Sequence, residues 1–127
     1  MNIYGIGTDI ISIKRIKLSL KKKNFIKRIY NEKEVQKCKK AANHYNCFAK
    51  RFAAKEAFSK ALGTGISNGI NFNEIMVLNN KSGKPYINVK GKTKKIIKKI
   101  FKQKKTKISL SLSDERDYAV AFVTISL

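Results

Sequence analysis

The run from Ile3 to Ile13, I-Y-G-I-G-T-D-I-I-S-I, does most to limit what this chain can become. It is apolar and β-branched, which suits a buried strand, and its two glycines mark a place where another backbone or a ligand comes close. Asp9 interrupts it. A carboxylate in such a strand is costly to desolvate without a partner, and no basic residue stands beside it in sequence.

The rest of the pattern alternates helix and strand. From Lys14 to Lys40 the lysines interleave with Ile16, Leu18, Leu20, Phe25, Ile26, Ile29 and Val35, which predicts short amphipathic helices with basic outer faces. Asn31 followed by Glu34 reads as a helix start. A longer, Ala-rich helix is expected from His44 to Leu62, with Tyr45, Phe48, Ala49, Phe52 and Ala53 facing inward and Gly63 as its end. A strand from Phe72 to Leu78, the turn N-N-K-S-G-K-P and a strand from Tyr86 to Val89 read as a hairpin. Ile96, Ile97, Ile100 and Phe101 share one face of a lysine-rich helix. Two alternating strands, K-I-S-L-S-L-S and Y-A-V-A-F-V-T-I-S-L, then flank the charged turn D-E-R-D. The expectation is one α+β domain over residues 1–127, a mostly antiparallel sheet packed against one long helix.

A chain of 127 residues has enough length for a real core. Its apolar runs fall short of the ~20 residues that a bilayer span requires, and no cleavable leader precedes the first strand, so a cytoplasmic protein with no membrane partner is expected. Cys38 and Cys47 form no C-x-x-C pair and His44 is the sole histidine, which argues against a zinc site. Both thiols are expected reduced, and His44 is expected on the surface at a helix start. The formal net charge of +21 calls for an anionic partner. A general compositional drift toward Lys, Asn and Ile would account for much of the same excess.

The eight acids are therefore the more informative residues. Glu56 lies four residues after Phe52 and four before Lys60, so the three project along one side of the long helix. An ion pair with Lys60 or Arg51 is one way to satisfy it. The other joins it to Asp9 across a cation, since Mg²⁺ takes one or two protein carboxylates together with substrate phosphates and water. Lys60 and Arg51 would then face phosphate oxygens. G-I-G-T-D and G-T-G are too short to stand alone as phosphate-binding fingerprints.

Taken in order, I-Y-G-I-G-T-D-I-I-S-I-K-R-I, R-F-A-A-K-E-A-F-S-K-A-L-G-T-G-I, G-K-P and L-S-L-S-D-E-R-D-Y-A-V-A resemble the holo-acyl-carrier-protein synthases, a family of 4′-phosphopantetheinyl transferases. The resemblance spans essentially the whole chain. It implies transfer of 4′-phosphopantetheine from coenzyme A to a serine of apo acyl carrier protein, with release of adenosine 3′,5′-bisphosphate, in fatty acid biosynthesis. It implies Asp9 and Glu56 as Mg²⁺ ligands, Lys60 near the phosphates, and Arg51, Lys55, Gly63 and the G-T-G turn at the coenzyme. Glu56, through a water, is a candidate for the base. Arg15, Lys22 and Arg28, with Phe25 as an apolar anchor, are implied contacts for the acidic carrier protein, and a homotrimer with sites between subunits is implied as well. One departure stands out: Asp114 occupies a position where many relatives carry histidine, so that residue's role does not transfer, and Asp114, Glu115 and Asp117 read as a solvated turn balanced by Arg116. A nucleic-acid-binding domain is the rival, suggested by aromatics among lysines, but it lacks a recognisable motif and leaves Asp9 and Glu56 unexplained.

Overall fold

The computed structural model describes residues 2–63 and 69–127. In chain order its elements are β1 (Ile3–Ser12), α1 (Ile13–Ser19), α2 (Phe25–Ile29), α3 (Glu32–Lys40), α4 (His44–Leu62), a 3-10 turn (Phe72–Glu74), β2 (Ile75–Asn79), β3 (Pro85–Val89), α5 (Gly91–Ile100), β4 (Lys107–Asp114) and β5 (Tyr118–Ser126). The first and last strands pair antiparallel, giving a three-stranded sheet in the order β1-β5-β4, while β2 and β3 form a separate antiparallel hairpin. The class is α+β, with every strand pairing among the described residues antiparallel.

The inner face of the larger sheet packs on α4, and the sequence shows why the two come so close. A Cβ at Gly5 would run into the carbonyl oxygen of Ala61, and one at Gly7 into that of Ala57. The glycines of β1 thus answer to a second backbone. Ala53, Ala54 and Ala57 are buried along the helix, and Phe58 is fully enclosed, a side chain whose burial contributes roughly 1.5 to 3 kcal/mol. Gly63 closes the helix in a left-handed conformation (φ 81°), its amide bonded to the carbonyls of Ser59 and Lys60. Asn31 and Glu34 form a reciprocal capping box at the start of α3. His44 is the exposed first residue of α4.

Several expectations needed correction. Phe72 to Glu74 wind into a 3-10 turn instead of extending, and the strand starts at Ile75. The last helix ends at Ile100, because Lys102 and Gln103 take positive φ. Leu18 faces outward, 56% exposed. In a helix anchored by Ile13 and Ile16, a residue two positions beyond Ile16 lies on the opposite side. Phe25, expected as an apolar anchor for the carrier protein, is buried, stacked on Phe52 and edge-on to Tyr30. Cys38 and Cys47 are not free thiols but form a disulfide with their Cα atoms 5.3 Å apart, joining α3 to α4.

Candidate active site

Asp9 and Glu56 come from the two elements that pack most tightly, β1 and α4. Asp9 shares the inward side of the strand with Gly7 and Ile11, and its carboxylate finds Lys60, whose Nζ lies 3.2 Å from Asp9 Oδ1. The same ammonium donates to the carbonyl of Thr8 at 2.9 Å. Lys60 nonetheless remains 56% exposed at its side chain, so it holds Asp9 from the solvent side. Glu56 sits one helical turn before it. Burial first, then the neighbouring Asp9 carboxylate, push the Glu56 carboxyl upward from its ordinary value, against the opposing pull of Lys60. The ion pair that the sequence left open between Glu56 and Lys60 thus goes to Asp9, and the two acids remain within each other's field.

Glu56 also lines a cleft of about 460 Å³ with Phe25, Ile29, Phe52, Ile70 and Phe72. Arg28, Asn71 and Asn73 complete the lining, so the one carboxylate shares the cleft with an apolar wall and a guanidinium suited to an anion. Phe25 thereby forms part of the cleft wall.

Lys55, placed at the coenzyme by resemblance, is wholly buried on another face of α4. Its Nζ donates to Glu34 Oε1 at 2.7 Å, to the carbonyl of Phe72 at 2.8 Å and to that of Ile75 at 2.7 Å. Glu34 Oε2 in turn accepts the amide of Val77. An ammonium has three donors and all three are engaged, so Lys55 has none left for a ligand in this arrangement. Burial draws it down to about 8, with the Glu34 carboxylate pulling the other way. What sequence reading missed is Glu34, which it took only as a cap.

Arg51 faces elsewhere too. Five residues separate it from Glu56, about 140° around the helix, and the two line different cavities. Arg51 opens on one of about 380 Å³ with Lys37, Asn46, Lys50, Gly83 and Asp114. Its Nη2 donates to Asn79 Oδ1 at 3.0 Å, and its Nη1 to Cys47 Sγ at 3.2 Å. Its buried Nε has no hydrogen-bond partner among the described residues. Asp114, at the rim, is not a freely solvated acid. Asn46 Nδ2 donates to it at 2.6 Å and Lys50 lies at 3.2 Å, which together hold its carboxyl below the ordinary value. Lys50, not Arg116, is its counter-charge. Gly63 has open space around it, and Thr64 and Gly65 of the G-T-G turn lie outside the described residues.

Comparison with known proteins decides the family. A sequence model described as the 4′-phosphopantetheinyl transferase superfamily matches residues 5–123. The chain belongs to that superfamily. Among its phosphopantetheinyl transferase relatives, a holo-[acyl-carrier-protein] synthase of Pelagibacter ubique is 50% identical over 125 residues, covering 98% of each chain. The solved synthase of Neisseria meningitidis superimposes with a TM-score of 0.85 at 41% identity, over 98% of this chain and 99% of that one. The synthase of Bacillus anthracis, solved in complex with CoA (3′,5′-ADP), gives 0.79 at 36% identity, over 98% and 97%. The transferase fold, and an enzyme of this class, are thereby established. No helix among the described residues is long and apolar enough to cross a membrane.

Proposed function

We propose that this enzyme transfers 4′-phosphopantetheine from coenzyme A to a serine of apo acyl carrier protein, in a Mg²⁺-dependent reaction that takes place in the cytoplasm and supplies fatty acid biosynthesis. The observation that carries the reading is the Asp9, Glu56 and Lys60 constellation, two acids in each other's field with one exposed ammonium between them and solvent.

The donor set fits magnesium. No group of three or more His, Cys, Asp and Glu side chains gathers among the described residues, so two carboxylates would leave the remaining positions to phosphate oxygens and water, as Mg²⁺ prefers. Such an ion, when bound, supplies positive charge against the diphosphate. The chain's own residues do the rest. Lys60, freed from Asp9, reaches the phosphate that departs and neutralises its developing charge. Glu56 takes up the proton of the attacking serine hydroxyl through an intervening water. The new serine O–P bond forms as the P–O bond to adenosine 3′,5′-bisphosphate breaks. Arg51, with an unsatisfied Nε and Lys37 and Lys50 around it, receives the phosphates at the nucleoside end of the coenzyme, with Gly63 carried over as a further coenzyme contact.

Arg15, Lys22 and Arg28 are all exposed and form the basic surface that meets the acidic carrier protein, speeding encounter electrostatically. Leu18, exposed on the same segment, offers a further apolar contact beside Phe25. The outer face of the β1-β5-β4 sheet supports a homotrimer. Ile6, Ile10, Tyr118 and Phe122 stand exposed on that one face, an uncovered apolar patch of the kind that marks a protein interface.

The reading is tested by incubating the protein with apo acyl carrier protein, coenzyme A and Mg²⁺ and weighing the carrier. A gain of one phosphopantetheine is expected, and an unchanged mass would refute it.

A further inference from the structure

The cysteine pair is the feature that the transfer reaction does not use. Cys38 is completely buried, whereas Cys47 lines the Arg51 cavity. The Cα separation of 5.3 Å lies within the range that a disulfide spans without moving the backbone. On one side of Cys47 is Cys38, and on the other is the guanidinium of Arg51, whose Nη1 donates to both the sulfur (3.2 Å) and the carbonyl (3.4 Å) of Cys47. Lys37 and Lys50 line the same cavity. Among cytoplasmic proteins a disulfide is more often transient, catalytic or redox-sensing than a permanent staple.

We propose that Cys38–Cys47 is a reversible redox modification site that sets how strongly the Arg51 cavity holds an anionic phosphate. The inference rests on the coenzyme reading of that cavity given above. As a disulfide, Cys47 Sγ is uncharged and a weak acceptor, and Arg51 keeps its charge for a ligand. Reduction places a thiol in contact with the Arg51 guanidinium, in a cavity also lined by Lys37 and by the Lys50–Asp114 pair, and the cation against the sulfur favours the thiolate. The thiolate then competes with the phosphate for Arg51. The chemistry balances with a low-molecular-weight thiol of the glutathione class. Its thiolate enters by the cavity and attacks Cys47 Sγ, and Cys38 leaves as a thiolate and takes a proton. A second thiol then attacks the mixed disulfide, releasing Cys47 and one low-molecular-weight disulfide. Oxidation is the reverse exchange.

The test prepares the full-length enzyme with dithiothreitol or with oxidised glutathione and counts alkylated cysteines by mass. For each form it measures adenosine 3′,5′-bisphosphate binding by calorimetry and the KM for coenzyme A in transfer to apo carrier protein. The reduced form is expected to bind about fivefold more weakly, at the lower end of ordinary coupling between two sites, with kcat unchanged. Cys38→Ser should resemble the reduced form under dithiothreitol and, having no resolving thiol, should trap oxidised glutathione at Cys47 as a mixed disulfide visible by mass. Cys47→Ser, which has neither disulfide nor thiolate, should resemble the oxidised form. That pair separates charge from mere stapling of the two helices. Equal affinity in both forms, cysteines that stay alkylatable after oxidised glutathione, or a Cys38→Ser enzyme that under dithiothreitol binds as tightly as the oxidised parent would each overturn the proposal while leaving the transfer reaction standing. Loss of both transfer and binding in every form would remove the coenzyme reading and this inference together.

Discussion

Two ionic constellations hang from different faces of α4, and they are built on opposite plans. Lys55 and Glu34 are completely buried, and each hydrogen bond the ammonium can make is made. Asp9, Glu56 and Lys60 are partly open, place two like charges together and leave their one cation exposed. The first arrangement fixes geometry: Lys55 pins the carbonyls of Phe72 and Ile75 and, with Glu34, ties the hairpin and α3 to the central helix. The second is left short of positive charge, and a site short of positive charge has something to offer a cation and a phosphate. Burial alone would not have told the two apart, whereas satisfaction does.

The contrast is broken most forcefully in activity. Asp9→Asn and Glu56→Gln should each lower phosphopantetheine transfer by about a hundredfold or more, measured as kcat/KM against coenzyme A, with excess Mg²⁺ restoring only part. Full activity in either variant would take the acidic pair out of the reaction. Next in size is a stability effect on the other face of the helix. Lys55→Met leaves the Glu34 carboxylate buried without its cation, and urea unfolding should show a loss of about 3 to 5 kcal/mol. A double replacement of Glu34 and Lys55 by apolar residues of similar volume should recover much of that loss. If the single variant is as stable as the parent, the clasp has no structural weight.

Smaller effects sharpen the same comparison. Arg15→Glu and Arg28→Glu should raise the KM for apo carrier protein a few-fold and flatten its salt dependence, because exposed rim charges act chiefly on encounter. An unchanged salt profile would remove them from the docking surface. Leu18→Ala should weaken the same step without altering the salt slope.

Much of this molecule can be read from its sequence, and the part that cannot has a common cause. The strand and helix periods, the Asn31–Glu34 capping box and the Gly63 terminus are local properties, set by residues within a few positions of one another. The Asp9 and Glu56 pairing came from asking what two costly carboxylates need. The side that Leu18 and Phe25 take, however, depends on what α4 presents to the short helices, and Phe25 turns inward because Phe52 waits there to stack with it. Glu34 reads as a cap from its neighbours alone. Its second function, meeting Lys55 across 21 positions, exists only once α3 lies on α4. The disulfide is of the same kind, since a nine-residue spacing matches no motif and only the packing of two helices brings the sulfurs together. Arg51 shows the converse: it stands close to Glu56 along the chain but lines another cavity.

If the acidic pair is held short of charge for the sake of its ligands, it weakens the empty protein. The sign follows from linkage. A folded carboxyl whose proton affinity is raised binds more protons than the unfolded chain as pH climbs from its unfolded value of 4.5, so stability falls through that window and the deficit persists at neutral pH. Thermal unfolding of the parent and Glu56→Gln, with and without Mg²⁺ and coenzyme A, therefore tests the site most directly. At neutral pH and without ligands the variant should melt a few degrees higher, the gain vanishing below pH 4.5. With ligands present the parent should gain stability that the variant does not. A variant that melts lower, or that keeps the full ligand-induced rise, would contradict the assignment of Glu56 to a metal and phosphate site.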